Sequence, residues 1–271
     1  MMMMKVVDSI RRLCGFRFPP LGGAAFRTAF LLLPDRANVE LVPGIHADVD
    51  FRDETMRATY WQGERFERPT AQILKDWVMA GATRFFDIGS NYGFFSYLLL
   101  SHSTWMEVHA FEPNPFTFAK IESIKEANSL ARLHPTNIGL GDERARLSLH
   151  PGVADSGHST FGAHPELAGA SLGEIEVLPF DVWRREAKLS LPASPLWIGK
   201  IDVEGFEVHV LRGMAEALEA RAFAGLVIEL NEFTLGFCGS KPADIHHLMT
   251  EFGYRALPIG AASGNAFFVP A

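Results

Sequence analysis

The chain has 271 residues, of which 48% are hydrophobic and 21% are charged, a composition typical of a globular protein and not of a disordered one. Its formal net charge of −7 opposes binding to a phosphate backbone, so we expect no nucleic-acid partner. The two cysteines, Cys14 and Cys238, lack the spacing of a disulfide framework or zinc site, which favours a reducing, cytoplasmic location.

The first part of the chain predicts an extension that precedes the main domain. No segment reaches the roughly 18 apolar residues of a membrane span, so stable membrane insertion is not expected. Residues 37–53 alternate apolar and polar side chains around a Pro-Gly turn, which is typical of a β-hairpin. We therefore divide the chain into an N-terminal extension, residues 1–68, and a main domain, residues 69–271.

From residue 67 onward, helical and strand patterns alternate. The predicted helices cover residues 67–82, 93–102, 115–130, 206–220 and 241–253. The predicted strands cover residues 85–89, 107–113, 131–141, 194–205 and 223–233, with a closing pair at 254–260 and 265–270. This alternation indicates βαβ units and a doubly wound α/β fold with a mostly parallel sheet and right-handed crossovers.

Acidic side chains stand at the ends of five successive predicted strands. They are Asp87, Glu112, Asp142, Asp202 with Glu204, and Glu229. In a doubly wound sheet, ligands bind outside the carboxyl ends of the strands, near the point where the strand order reverses. The sequence therefore predicts a ligand site at this edge of the sheet.

The turn after the first of these strands, residues 89–93 (GSNYG), predicts a cofactor loop. Its glycines remove side chains where the backbone meets a ligand. Glu112 follows roughly twenty residues later, where an acid accepts hydrogen bonds from ribose hydroxyls. A nicotinamide dinucleotide would favour glycine at Asn91 and Phe94, so pyrophosphate binding is disfavoured. A sulfonium ligand with an amino-acid tail needs polar partners such as Asp87 and Asn91 instead.

Five motifs in order give the chain a resemblance to class I S-adenosylmethionine-dependent methyltransferases and, among them, to the FkbM family. The motifs are FFDIGSNYGFFS (85–96), FEPNP (111–115), TNIGLGDERARLSL (136–149), VLPFDVW (177–183) and KIDVEGFEVHVLRG (200–213), the last followed by LVIELNEF. In the fourth motif Asp181 matches the family pattern, whereas Phe180 departs from it. The resemblance covers roughly residues 60–235.

The resemblance implies a seven-stranded, Rossmann-like sheet, S-adenosylmethionine as the cofactor, and methylation of a hydroxyl on a sugar or natural-product scaffold. It implies cofactor binding by Asp87, Gly89, Ser90, Asn91, Gly93, Glu112 at the ribose, Asn114 near the adenine, Asp142 at the adenine amine, and Asp202 near the methionine tail or the methyl group. The partner would be a small-molecule or glycan acceptor, and the sequence is compatible with a homo-oligomer.

Methyl transfer to a hydroxyl requires a group that accepts one proton, and we select Glu204, His158 and Asp202 as catalytic candidates. Glu204 follows Asp202 by two positions, so both would face the same side of a continuing strand. His158 lies in a polar loop that could cover the cofactor as a lid. His209 falls inside a predicted helix, and we interpret it as a packed or surface histidine.

A divalent metal is an alternative that we do not expect. Asp202 or Glu204 could combine with Glu229 and Asn231 to bind magnesium, which prefers oxygen ligands. The acids of these motifs need no metal to explain them, so we predict none.

The acceptor and the function class stay open at this level. Aromatic residues predicted near the cleft edges, among them Tyr60, Trp61, Tyr92, Phe161 and Phe233, would suit a sugar face or an aglycone equally. The alternatives to a methyltransferase are another adenosine-cofactor enzyme, such as an NAD-dependent oxidoreductase, and a non-catalytic subunit that binds S-adenosylmethionine.

Overall fold

The computed structural model of the protein describes residues 34–151, 159–162, 171–258 and 264–271. His158, one of the proposed catalytic residues, lies outside these ranges. Within them, no helix is both long enough and apolar enough to cross a membrane.

A hairpin and two helices precede the main sheet. Strand β1 (Arg36–Val42) pairs with β2 (Ile45–Asp50) in antiparallel register, which confirms the predicted hairpin. Helix α1 (Glu54–Gln62) was not predicted, because it is short and its buried face includes a threonine. A 3-10 turn (Gly63–Arg65) leads to α2 (Arg68–Met79), which matches the helix predicted from residue 67.

The remaining elements follow the expected alternation. In chain order they are β3 (Arg84–Ile88), α3 (Phe94–His102), β4 (Glu107–Phe111), α4 (Pro115–Ala127), β5 (Leu133–Thr136), β6 (Gly139–Leu140), β7 (Ala145–Leu149), β8 (Gly173–Leu178), α5 (Phe180–Glu186), β9 (Trp197–Ile201), α6 (Glu207–Gly213), α7 (Ala215–Glu219), β10 (Phe223–Glu229), α8 (Glu232–Phe237), α9 (Pro242–Glu251), β11 (Tyr254–Ala256) and β12 (Asn265–Pro270).

Seven strands form the main sheet in the order β11-β12-β10-β9-β3-β4-β5. Strands β10, β9, β3, β4 and β5 are parallel, and β12 runs antiparallel between β10 and β11. The expectation of a seven-stranded, mostly parallel sheet is therefore confirmed. The chain moves outward from β3 through β4 to β5 and then returns to β9, so the order reverses between β3 and β9.

Each face of the sheet packs into its own hydrophobic core. Because successive side chains of a strand point to opposite faces, Phe85 lies in one core and Phe86 in the other. The Phe85 side is covered by the hairpin and by α1 to α4, and the Phe86 side by α5 to α9. The extension thus shares a core with β3, and the boundary at residue 68 stays a prediction.

A second, three-stranded sheet was not predicted. In it, β8 pairs in parallel with β6 and antiparallel with β7. The strand predicted over residues 131–141 is consequently divided, with β5 in the main sheet and β6 in the small one. The chain changes sheet at Asn137, whose Nδ2 donates to the carbonyl oxygens of Glu112 and Pro113 at 2.7 and 3.1 Å.

Two predicted boundaries in the segment after β9 were wrong. The helix expected over residues 206–220 is divided into α6 and α7 at Met214. The strand expected over residues 223–233 ends at Glu229, because Asn231 caps α8 by accepting the amide of Phe233 at its Oδ1 (3.1 Å).

Candidate active site

The carboxyl ends of β3 and β9 meet at the centre of the sheet, where the strand order reverses. The amide of Asp202 donates to Ile88 O at 3.0 Å, and the amides of Gly89 and Ser90 both donate to Phe111 O at 3.0 Å. Gly89 has φ +77°, and a Cβ at this position would lie 1.8 Å from Asp202 O. Glycine is therefore required for the first turn to pack against the end of β9.

The turn over residues 89–93 holds the carboxylate of Glu112. Asn91 (φ +49°) donates its amide to Glu112 Oε2 at 2.7 Å, and Asn114 donates its amide to Oε1 at 2.9 Å. The Glu112 side chain is only 5% exposed. Burial raises the pKa of Glu112 to about 8, although both amide hydrogen bonds oppose this rise.

A first cleft of about 510 Å³, including the solvent at its mouth, opens beside this carboxylate. Phe111, Ile138 and Leu140 supply apolar walls, and Glu112 lies among the lining residues. A carboxylate has about four acceptor sites, and the two amides leave others for ribose hydroxyls. An apolar slot with a buried acid therefore fits the adenosine part of the expected cofactor.

Three of the expected cofactor residues, Gly93, Asn114 and Asp142, line neither cleft. Gly93 has φ +79° and is the N-cap of α3. Asn114 caps α4 through its Oδ1, and its Nδ2 lies 3.4 Å from Ser159 Oγ. The backbone amide of Asn114 donates to the Glu112 carboxylate, so Asn114 supports the acid that lines the first cleft. Asp142 Oδ2 lies 3.0 Å from Nδ1 of His209, so Asp142 is occupied by a partner on α6. The roles expected for all three residues stay predictions.

A second cleft of about 730 Å³, again including solvent at its mouth, adjoins the first. The residues shared by both clefts are Gly89, Asn91, Asp202 and Glu204. The charged residues that line the second cleft are Glu67, Asp87, Lys200, Asp202, Glu204 and Glu229. The second cleft thus brings together four of the selected residues, Asp87, Ser90, Asp202 and Glu204. Because the clefts share residues, a molecule bound in one would adjoin a molecule bound in the other.

Lys200 was not among the residues selected from the sequence. Its ammonium forms an ion pair with Asp202 and lies 5.0 Å from the ring centroid of Phe95. Burial alone would lower the pKa of Lys200, but Asp202 and other acids of the cleft raise it, so the ammonium stays charged. Lys200 precedes Asp202 by two positions in the fifth motif, and this spacing could have indicated the pair.

Asp87 lies beside Lys200 at the floor of the second cleft. It accepts a hydrogen bond of 2.6 Å from Ser96 Oγ and is almost completely buried. Burial raises the pKa of Asp87 to about 6, and Lys200 opposes this rise. At neutral pH the floor of the cleft therefore offers both an anionic and a cationic group for an amino-acid tail.

Three carboxyl groups that line the second cleft form a cluster. Oxygen atoms of Asp202, Glu204 and Glu229 all lie within 4.8 Å of one another. Oε2 of Glu229 is buried and has no hydrogen-bond partner among the described residues. Burial, followed by Asp202 and Glu204, raises the pKa of Glu229 to about 10, so this carboxyl group is protonated at neutral pH. Asn231, the fourth expected metal ligand, caps α8.

Glu204 adopts a conformation that the sequence did not predict. Strand β9 ends at Ile201, and Glu204 has φ +53°, so the expectation of a continuing strand was wrong. Glu204 still lines both clefts, and its carbonyl accepts a 2.8 Å hydrogen bond from Thr160 Oγ1. Non-glycine residues with positive φ are strained and concentrate at functional sites.

The aromatic residues expected at the cleft edges divide into three groups. Tyr60 and Trp61 are buried in the hydrophobic core, so the expectation that they contact an acceptor was wrong. Phe161 lines the first cleft and Tyr92 the second. Phe233 is 68% exposed at the start of α8.

Residues 87–256 match a family model described as the methyltransferase FkbM domain. Among curated proteins, the chain is similar to the hexuronic acid methyltransferase AglP of Haloferax volcanii, with 28% identity over 165 residues. The alignment covers 61% of this chain and 60% of that relative, so the chain spans less than two thirds of the relative's length.

Two solved structures give more distant similarities. A SAM-dependent methyltransferase from Agrobacterium tumefaciens aligns with a TM-score of 0.43 and 12% identity, covering 94% of this chain and 73% of that one. Monomeric WbdD aligns with a TM-score of 0.45 and 14% identity, covering 75% of this chain and 41% of that one.

Proposed function

The chain belongs to the FkbM methyltransferase family, and from this premise we propose that it transfers a methyl group from S-adenosylmethionine to a hydroxyl group of a sugar or natural-product scaffold. The observation that carries the proposal is the junction of two clefts at Gly89, Asn91, Asp202 and Glu204. One cleft has the character of an adenosine site, and the other is polar and acidic.

The lining of the two clefts supports roles for cofactor residues besides those of the turn. Glu112 would accept hydrogen bonds from the ribose hydroxyls, and Ile138 with Leu140 would pack against the adenine. Asp87 and Lys200, at the floor of the second cleft, would bind the ammonium and the carboxylate of the methionine part. When bound, the cofactor supplies an electrophilic methyl group on a sulfonium. The part of the second cleft that the methionine part leaves open would then receive the acceptor.

Glu204 is the residue best located to accept the proton of the acceptor's hydroxyl group. It lines both clefts, and its side chain is only 7% exposed, so a hydroxyl group held there would meet a carboxylate shielded from water. Alignment of the reacting oxygen and removal of its proton can each lower the barrier by several kcal/mol. The name of the curated relative, a hexuronic acid methyltransferase, supports a carbohydrate as the acceptor.

Calorimetry followed by a transfer assay tests the proposal. We expect S-adenosylhomocysteine to bind with a micromolar Kd, about −8 kcal/mol, and NAD not to bind. Radiolabelled methyl transfer is then measured with a panel of free sugars, uronic acids, glycosides and polyketide alcohols. Binding of NAD alone would favour an oxidoreductase. Binding of S-adenosylhomocysteine without transfer to any member of the panel would favour a non-catalytic subunit.

A further inference from the structure

The loop that leaves β9 has a strained backbone. Within residues 202–205, Glu204 has φ +53° and Gly205 has φ +105°. A glutamate adopts a left-handed conformation at a cost in free energy, and it persists only where neighbouring groups hold it. The contacts of this loop therefore determine where the Glu204 carboxylate lies.

The backbone of this loop is packed on three sides. Asp202 O fills the space where a side chain at Gly89 would lie, and a Cβ at Gly205 would lie 2.2 Å from Thr234 O. Thr160 Oγ1 donates to the carbonyl of Glu204 at 2.8 Å. These contacts restrict the position of the loop, but none of them provides an acceptor for the backbone amides of Val203 and Gly205, which flank Glu204.

Glu207 supplies that acceptor. Its Oε1 accepts the amides of Val203 at 3.1 Å and Gly205 at 3.2 Å, the two residues that flank Glu204. The side chain is 1% exposed and lines neither cleft, and its Oε2 has no hydrogen-bond partner among the described residues. Glu207 therefore contacts the loop from inside the protein and would not touch a ligand in either cleft.

We propose that Glu207 is a positioning residue, which fixes the left-handed conformation of Glu204 and with it the wall that both clefts share. The inference rests on the proposed function, because the wall matters only if a cofactor binds against it. Asp202, Val203 and Glu204 all line the first cleft. Loss of the two hydrogen bonds would let this segment move, and cofactor affinity would fall.

Three substitutions separate the effect of the length of the Glu207 side chain, its reach, from the effect of its charge. Glutamine keeps an oxygen at the same distance but removes the charge, whereas aspartate keeps the charge but is one methylene shorter. Leucine fills a similar volume with no acceptor. If positioning is the role, Glu207→Gln should behave as the wild type, and Glu207→Asp and Glu207→Leu should both be impaired.

The experiment measures the Kd of S-adenosylhomocysteine and the melting temperature for the wild type and the three variants. We expect Glu207→Gln to bind within about threefold of the wild type, and Glu207→Asp and Glu207→Leu at least about tenfold more weakly. Gly225→Ala serves as a destabilised control, because it affects packing against Trp77 and touches neither cleft. If the leucine variant does not fold, the Kd of the aspartate variant tests the positioning role.

Each other outcome overturns the proposal in a different way. If Glu207→Asp and Glu207→Leu bind as tightly as the wild type while their melting temperatures fall, as in Gly225→Ala, Glu207 only stabilises the fold. If Glu207→Gln is as weak as Glu207→Leu, the charge and not the reach is required. If the wild type itself fails to bind S-adenosylhomocysteine, the proposed function falls together with the inference.

Discussion

The hydroxyl of Tyr92, in the cofactor turn, donates a 2.6 Å hydrogen bond to Oδ2 of Asp53. Oδ1 of the same aspartate accepts the amide of Met56 and caps α1. The N-terminal helix is therefore connected directly to the turn that borders both clefts. Asn128, the C-cap residue of α4, connects that helix to the hairpin, because its side chain forms hydrogen bonds with both backbone polar groups of His46 in β2.

The bond between Tyr92 and Asp53 is expected to contribute measurably to stability. Because the acceptor is a carboxylate, Tyr92→Phe should lower the free energy of unfolding by about 1.5–3 kcal/mol, measured by urea denaturation. Tyr97→Phe is the matched control, since the Tyr97 hydroxyl is buried and has no hydrogen-bond partner among the described residues. Equal effects of the two substitutions would contradict a stabilising role for this bond.

Cofactor affinity should depend on pH through Glu112. Ribose hydroxyls donate to the ionised carboxylate, so below its raised pKa of about 8 the group must lose a proton before it accepts them. We expect the Kd of S-adenosylhomocysteine to fall by about tenfold per pH unit from pH 6 to 8, and then to level. Glu112→Gln should bind more weakly with no such dependence. A flat profile in the wild type would remove Glu112 from the ribose site.

Glu204→Gln tests the proposed base. The substitution preserves the side-chain shape, so S-adenosylhomocysteine should bind within about threefold of the wild type while kcat falls by about 10²-fold or more. His158→Ala is the paired variant, because that histidine is another of the catalytic candidates selected from the sequence. A loss below about threefold in Glu204→Gln, together with an inactive His158→Ala, would assign the proton to the histidine.

Turnover is expected to continue in EDTA. Of the three clustered carboxyl groups, Asp202 is paired with Lys200, and Glu229 is protonated at neutral pH. A divalent cation would have to displace both the ammonium and the proton. The measurement is methyl transfer before and after EDTA and after added magnesium. Loss of activity in EDTA that magnesium restores would make the cluster a metal site.

Gly225→Ala should destabilise the protein through the packing of β10. A Cβ at this position would lie 2.3 Å from the Trp77 ring, so strand and ring must separate, at a cost of about 1–3 kcal/mol. Gly236→Ala is the control, because the space around that glycine, in α8, is open and alanine favours a helix by about 1 kcal/mol. Thermal denaturation should therefore shift downward for the first variant and not for the second.

The sequence alone predicted the parts of the protein that depend on local patterns. Alternation of apolar runs with helical periodicity predicted the five parallel strands of the main sheet, β3, β4, β5, β9 and β10, and the closing hairpin of β11 and β12. The glycines of residues 89–93 predicted the turn, because a positive φ and a close backbone approach are restrictions on a single residue. Glu112 was selected as a candidate because the spacing from turn to acid follows from the length of one βαβ unit, and its place beside the turn could be predicted in the same way.

Only the tertiary structure decided what surrounds these residues. The left-handed Glu204, the ion pair of Lys200 with Asp202, and the approach of Glu229 to both acids arise where β9 and β10 end beside β3. The small sheet and the bond from Tyr92 to Asp53 likewise join segments far apart in the chain. A local pattern carries no record of such contacts, because the free energy that fixes them comes from burial and from hydrogen bonds that form only when distant segments pack together.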